Sequence, residues 1–508
     1  MSEYINNLSY QRLAAACVVG RLAEIHYREG GDYAALIHQL IDRGIGGFCV
    51  FQGNLEATGV MIAELQARAG GTLLISADYE HGLPMRLEGG TDFPHAMALG
   101  RVNSPELTRK VGQAIAREAR AIGVQWNFSP VCDVNSNPKN PIINIRAFGE
   151  TPNAAIPHVK AMSEGLQSEG VIACAKHFPG HGDTATDSHL SLPTLGHSRE
   201  RLEGVEFAPF EAAIAGGVRS VMVAHLAVPA LSKPEDAKLP ASLNPAIITG
   251  ILRENMNFQG LIVTDALDMN AITNHYSSAD ASIRAINAGN DVVLLPENPI
   301  EAIDALAREA EQNPAFAARL RASAARIEAA KEWCRSFPPP EPISLENHGK
   351  LALEVARKAI TIDDIRNVLP LQQYDTFAAF AVMQDDNLQP GAEFFHFLSQ
   401  VVEQDCDFGF LDASITDDEA AALAEQTADA EVIVAAIFVR GRSHTGTVDL
   451  PAHISKALNS IANGRQIAAV LLGSPYLRSS IQATSYVSTY SDSTASIGAA
   501  ALALGGKV

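Results

Sequence analysis

The sequence predicts an α/β protein: an N-terminal (β/α)8 barrel of the TIM type, followed by a smaller α/β sandwich domain. Three observations predict it. Short apolar or β-branched runs alternate with helix-like segments eight times through the first part of the chain, the cadence of parallel strands joined by helical crossovers. A proline-rich stretch, SFPPPEP at 336–342, then breaks the pattern and reads as a stiff extended connector. Beyond it, apolar strands and helices resume over a shorter span. A doubly wound sheet competes for the first part, but eight strands favour closure into a barrel.

The expected barrel strands are residues 14–19, 47–51, 73–77, 124–128, 171–175, 220–224, 261–264 and 291–295. Helical periodicity marks 32–42, 55–69, 105–122 and 152–168 between them, and helix-rich sequence fills 300–333. Pro105 follows Ser104 and Pro152 follows Thr151, each a first-turn proline behind an N-cap residue. Past the connector, 351–359 reads as a helix, 377–382, 432–438 and 467–472 as strands, and 417–427 and 454–462 as helices between strands. The expected domains are therefore 1–335 (barrel), 336–345 (linker) and 346–508 (an open sheet between helices).

With 508 residues, two domains are the default. Lys and Arg number 38 against 58 Asp and Glu, a formal net charge of −20, which argues against nucleic acid and anionic membranes as main partners. Six cysteines, Cys17, Cys49, Cys132, Cys174, Cys334 and Cys406, form no CxxC pair and mostly sit in apolar runs. They read as buried thiols of a reducing compartment. The start, MSEYINNLSYQRL, has no basic stretch followed by an apolar one, and no apolar run approaches the ~20 residues of a spanning helix. A cytoplasmic location is the expectation.

The stretch at 176–193, KHFPGHGDTATDSHLSLP, is hard to explain as packing. It holds His177, His181, His189, Asp183 and Asp187 among glycines and prolines, directly after the apolar run VIACA. A barrel concentrates its chemistry in loops that leave the C-terminal ends of strands. The other predicted strands end in polar residues too: Asp78 and Arg86 after the third, Asp133, Asn135 and Arg146 after the fourth, His225 after the sixth, Asp265 after the seventh. A single strand-end Asp or Asn is usually a helix cap; five such ends exceed what capping needs.

One reaction such a set can perform is cleavage of a glycosidic bond, which needs a carboxylate facing the anomeric carbon and an acid at the leaving oxygen. Asp265, presented by the apolar strand GLIVT, is the best nucleophile. Asp268, three residues on, reads as a cap of the next helix or a support for the site. His189 can be the acid: Asp187, two residues earlier, projects to the same side of an extended loop and favours the cationic imidazole. Zinc or manganese would compete for these residues, but no HExxH, HxH or paired-Cys signature is present and Lys176 would repel a cation. Phosphate-loop and dinucleotide patterns are absent.

KHFPGHGDTATDSHLSLP, followed by VTDALDM at 263–269, resembles glycoside hydrolase family 3, and most closely its β-N-acetylhexosaminidase branch. DYEHGLPMR, NFSPVCDVNSNP, IRAFGE and MVAHLAVP match as well. The resemblance spans roughly 10–310. It implies Asp265 as the nucleophile of a covalent glycosyl-enzyme and His189, paired with Asp187, as general acid/base. It implies Asp78, Arg86, Arg146, Lys176 and His177 as the groups that hold the hydroxyls of the terminal sugar. The enzyme it implies is a retaining exo-β-N-acetylglucosaminidase acting on GlcNAc-containing peptidoglycan fragments or chitin-derived oligosaccharides, with no cofactor and no metal. A phosphorylase, or a β-glucosidase or β-xylosidase of the same fold, is the alternative. His81 departs from the family, which usually has glycine after Glu80. LLGSPYL and TYSDS extend the resemblance into the second domain, where FVRGRSHT puts Arg440 and Arg442 in a candidate loop for the leaving-group side, though solvated charges are the commoner fate. The oligomeric state stays open, a homodimer included.

Overall fold

The structure, a computed structural model, describes residues 5–184, 192–340, 342–384, 386–402, 406–441 and 448–508. The chain divides into two compact units. One comprises 1–91, 104–137 and 147–345; the other comprises 92–103, 138–146 and 346–508.

The first unit is built on eight parallel strands: β1 (Val18–Leu22), β2 (Gly47–Val50), β3 (Leu74–Ala77), β4 (Trp126–Asn127), β5 (Ile172–Phe178), β6 (Ser220–Val223), β7 (Leu261–Thr264) and β8 (Val293–Leu294). They neighbour one another in the order β8-β1-β2-β3-β4-β5-β6-β7. A parallel bridge between Val263 and Val292, with Thr264 N donating to Val292 O at 3.1 Å, links β7 to the start of β8. The strands of such a barrel are covered on both faces, so they read as continuous apolar runs rather than alternating ones. β2, β3, β5, β6 and β7 are buried at every residue.

The first strand lies later than the sequence suggests. Tyr10–Ala16 is a helix, because Ser9 caps it by accepting from Arg12 N at 3.3 Å and the alanines that follow favour helix once it is nucleated. Ser104 and Thr151 cap the helices Pro105–Ala121 and Pro152–Ser168. Asp291, expected to open the eighth strand, is instead a buried counter-ion. Its carboxylate pairs with Arg253 and Arg326 and accepts from Ser323 and Ile262 N.

The second unit holds a six-stranded sheet: β9 (Thr361–Asp364), β10 (Phe377–Met383), β11 (Cys406–Leu411), β12 (Val432–Phe438), β13 (Gln466–Leu471) and β14 (Ser485–Ser488). Its order is β9-β14-β13-β12-β10-β11, all parallel except β9. Alternate residues of β10 and β12 enter two separate apolar clusters, one on each face. Helices Gln389–Val402 and Thr494–Leu504 cover one face, Asp417–Gln426 and Ala452–Ala462 the other. Sequence reading missed β9, β11 and β14. β9 (TIDD) and β14 (SYVS) are short and polar, and β11 (CDFGFL) is a half-exposed edge strand whose apolar run in the sequence is interrupted by Asp407 and Gly409.

Candidate active site

The chemistry-bearing side chains of the first unit leave the C-terminal ends of the barrel strands. From β3 the chain continues into Asp78, Tyr79 and Glu80. Asn127, on β4, fixes this exit: its side chain accepts from Tyr79 N at 2.9 Å and donates to Tyr79 O at 3.0 Å. Across the rim, Lys176 on β5 reaches both carboxylates, with Nζ 2.8 Å from Asp78 Oδ1 and 2.6 Å from Glu80 Oε1. Arg86 binds the other oxygen, Asp78 Oδ2, at 2.7 Å. Burial alone would raise the Asp78 carboxyl; Lys176 and Arg86 outweigh it and hold the group well below the usual carboxylate range. Arg86 and Arg21 lie over the Phe51 ring, 4.8 and 3.9 Å from its centroid, an aromatic plate that holds both guanidinium groups in place.

The Lys176 ammonium is 2 % exposed between two carboxylates that are 17 and 8 % exposed. Lys176→Met would leave Asp78 and Glu80 facing each other without it. Breaking such a buried pair costs about 3–5 kcal/mol, and Arg86, still bound to Asp78, places the expected loss at the lower end. Urea denaturation of wild type and variant measures it. A loss under about 1 kcal/mol would show a solvated pair of the surface kind.

Further along β5, His177 Nδ1 is 2.7 Å from Asp133 Oδ2, and Asp133 Oδ1 accepts from His177 N and His181 N at 3.2 and 2.7 Å. Asp133 is completely buried. The peptides Ser129–Pro130, Lys176–His177 and Phe178–Pro179 in this rim are cis. His181 Nδ1 lies 2.7 Å from the Thr184 hydroxyl. Gly182 sits where a Cβ would come within 1.8 Å of Val134 O, so only glycine lets the loop lie against that backbone. Asp183 meets His197 Nε2 at 2.9 Å.

Asp265 follows β7, its N–H donating to Val223 O at 2.9 Å and its Oδ1 accepting from Ala266 N at 2.9 Å. His225 steadies this turn. Its Nε2 donates to Ala266 O at 2.9 Å, so Nδ1 accepts from the Ser242 hydroxyl at 2.7 Å. Asp268 does not cap the next helix, Asn270–Thr273, which starts at Met269 with no side-chain cap; it pairs with Arg21 at 2.6 Å. The Cys174 thiol on β5 is completely buried among these groups' strands. Burial pushes it up to about 12, and it also feels the charges of Lys176, Asp78 and Asp265.

The structure thus brings together Asp78, Arg86 and Lys176, places His177 next to Lys176 on β5, and presents Asp265 at the C-terminal end of β7 in the same barrel. Asp187 and His189 fall in 185–191, outside the described residues. Arg146 belongs to the second unit, where it ends the short turn Asn144–Arg146 and donates to Ile142 O at 3.2 Å. In that unit Arg440 is no solvated charge: it pairs with Asp492 at 3.1 Å and with His95 Nε2 at 3.0 Å, while the Ser491 of TYSDS holds His95 Nδ1 at 2.9 Å. Arg442 lies outside the described residues. Among the described residues, no group of three or more His, Cys, Asp and Glu is disposed to hold a metal ion, and no helix is long and apolar enough to cross a membrane.

Sequence reasoning missed the roles of Glu80, Asn127, Asp133 and His225. The one signal for Asp133 was a carboxylate inside an otherwise apolar strand exit, PVCDV.

Residues 21–330 match the N-terminal domain of glycosyl hydrolase family 3. The chain belongs to that family. Over 374 residues it is 34 % identical to beta-hexosaminidase A of Pseudoalteromonas piscicida, a stretch that makes up 66 % of this chain and 62 % of that protein. The beta-hexosaminidase of Chromobacterium violaceum is 32 % identical over 61 % of this family 3 chain and 87 % of its own length. Among solved structures, a family 3 beta-N-acetylglucosaminidase from Paenibacillus sp. str. FPU-7 superposes with a TM-score of 0.87 at 29 % identity, covering 99 % of this chain and 97 % of that one.

Proposed function

We propose that this family 3 protein is a retaining exo-β-N-acetylglucosaminidase that removes terminal β-linked GlcNAc from oligosaccharides of the peptidoglycan or chitin type. The observation that carries the reading is the rim itself: the Asp265 carboxylate at the exit of β7, its Oδ1 held by Ala266 N, and the Asp78–Lys176–Arg86 constellation at the exits of β3 and β5. The similarity to a beta-N-acetylglucosaminidase over nearly the whole length of both chains supports the choice of sugar.

In this reading Asp78, Arg86, Lys176 and His177 engage the hydroxyls of the terminal sugar. Asp265 attacks C1 as the C1–O bond to the aglycone breaks, and His189, supported by Asp187, gives its proton to the leaving oxygen. Water then yields a proton to His189 and attacks C1, and Asp265 departs with net retention. Because the acid/base is an imidazole, an anionic acceptor meets less repulsion at the second step than a carboxylate would impose. Phosphorolysis to a sugar 1-phosphate is therefore the second reading.

Initial rates on the 4-nitrophenyl β-glycosides of GlcNAc, glucose and xylose, with and without inorganic phosphate, separate these possibilities. The expected result is preference for the GlcNAc substrate, free GlcNAc as product, and no dependence on phosphate. Cleavage of the glucoside alone would overturn the choice of sugar, and phosphate-dependent turnover would establish the second reading.

A further inference from the structure

We propose that Asp133 is a positioning residue for His177, fixing which ring nitrogen carries the hydrogen when the imidazole meets the sugar. This rests on the glycosidase reading above.

Asp133 is 0 % exposed, so no sugar can touch it, and a buried carboxylate is tolerated only when hydrogen bonds replace its lost water. Its donors come from one short segment. Oδ1 takes the backbone N–H groups of His177 and His181, closing the turn in which Gly180 N donates to His177 O at 2.8 Å. Oδ2 takes the ring of His177 at 2.7 Å. The two oxygens do different jobs: one shapes the backbone at the exit of β5, the other orients a side chain. An ionised carboxylate only accepts, so Nδ1 of His177 must carry the hydrogen. In the neutral ring Nε2 then bears the lone pair. A sugar hydroxyl can donate or accept, so the tautomer decides which bond the ring makes with it, as a supporting carboxylate does for catalytic histidines generally.

Asp133→Asn separates the two jobs. The amide oxygen can still accept both backbone N–H groups, which sets the amide orientation and points its NH2 at Nδ1. A donor there forces the hydrogen off Nδ1 and onto Nε2. The first measurement needs no variant: the ¹⁵N spectrum of histidine-labelled wild type, with His177 assigned through His177→Gln. The neutral His177 ring should show a protonated Nδ1 and an unprotonated Nε2, and Asp133→Asn should reverse them. In steady state on 4-nitrophenyl β-N-acetylglucosaminide, kcat/KM of Asp133→Asn should fall about 100-fold, the scale of a misdirected contact, with KM raised. A variant that merely folds poorly would lose kcat at unchanged KM. A wild-type ring protonated on Nε2, or a variant with wild-type KM, would overturn the proposal. Wild type inactive on every GlcNAc substrate would sink the functional reading instead, while the spectrum would still decide the tautomer.

Discussion

Asp265→Ala is expected to lower kcat on 4-nitrophenyl β-N-acetylglucosaminide by about 10,000-fold or more, the scale seen when a covalent nucleophile is removed. The side chain that is lost stands on a turn held by Val223 O and by His225 through Ala266 O. Those bonds involve backbone and a neighbouring strand, so the fold should survive the truncation. Azide then distinguishes a missing nucleophile from a damaged site. In Asp265→Ala the small anion can occupy the vacated space and attack C1 from the nucleophile's face, opposite the leaving group, giving the α-glycosyl azide. In His189→Ala the order of events differs. Nitrophenolate needs little acid help, so the glycosyl-enzyme still forms, and azide attacks it from the opposite face to give the β-azide. The anomer of the product therefore reports the role of each residue. A β-azide from Asp265→Ala, or near-normal turnover without rescue, would remove Asp265 from the nucleophile's place.

How far the sequence could be read depended on what decides each feature. Lys176, His177 and Asp78 were legible because buried charged groups are expensive and their residue types, clustered at strand exits, have no packing explanation. The partners that make them affordable were harder to see. Glu80 looked like part of a motif, yet its position is set by Lys176, which lies almost a hundred residues away in sequence and 2.6 Å away in space. Asp133 takes its meaning from a backbone turn that begins at His177, and no periodicity announces such a turn. Of the two readings of Asp268, a cap of the next helix or a support for the site, the cap is the local one, and a distant Arg21 claims the carboxylate instead. The same competition moved the first strand: an Ala-rich run reads equally well as buried strand or helix until the Ser9 hydroxyl nucleates the helical choice. Segments 92–103 and 138–146 group with the second unit, an interleaving that no linker composition could reveal.

Acid should weaken the first unit well before its carboxylates are neutralised. His158 and His181 are 0 and 2 % exposed, and burial pushes both rings down from 6.5 to about 4, opposed at His181 by the charge of Asp133. His158 Nδ1 is bonded to the Thr108 hydroxyl at 2.7 Å, and its Nε2 is buried with no hydrogen-bond partner among the described residues. The doubly protonated ring would leave an Nε2–H with no acceptor among the described residues. Between pH 6.5 and about 4 the unfolded chain therefore binds protons that the folded one refuses. Stability is full above pH 6.5 and falls as pH drops toward the folded-state value. At pH 5 each ring should cost roughly 2 kcal/mol, a large part of a typical 5–15 kcal/mol stability when the two add. The depressed carboxyl of Asp78 acts in the same direction but only below the ordinary carboxylate value of 3.8, so it leaves this window clear. Urea denaturation at pH 7.5 and 5.0 should show the loss in wild type, and His158→Gln, which cannot be protonated, should recover about half of it. An unchanged pH dependence in that variant would mean that His158 takes up its proton in the folded state as readily as in the unfolded chain, and that its Nε2 reaches an acceptor or water.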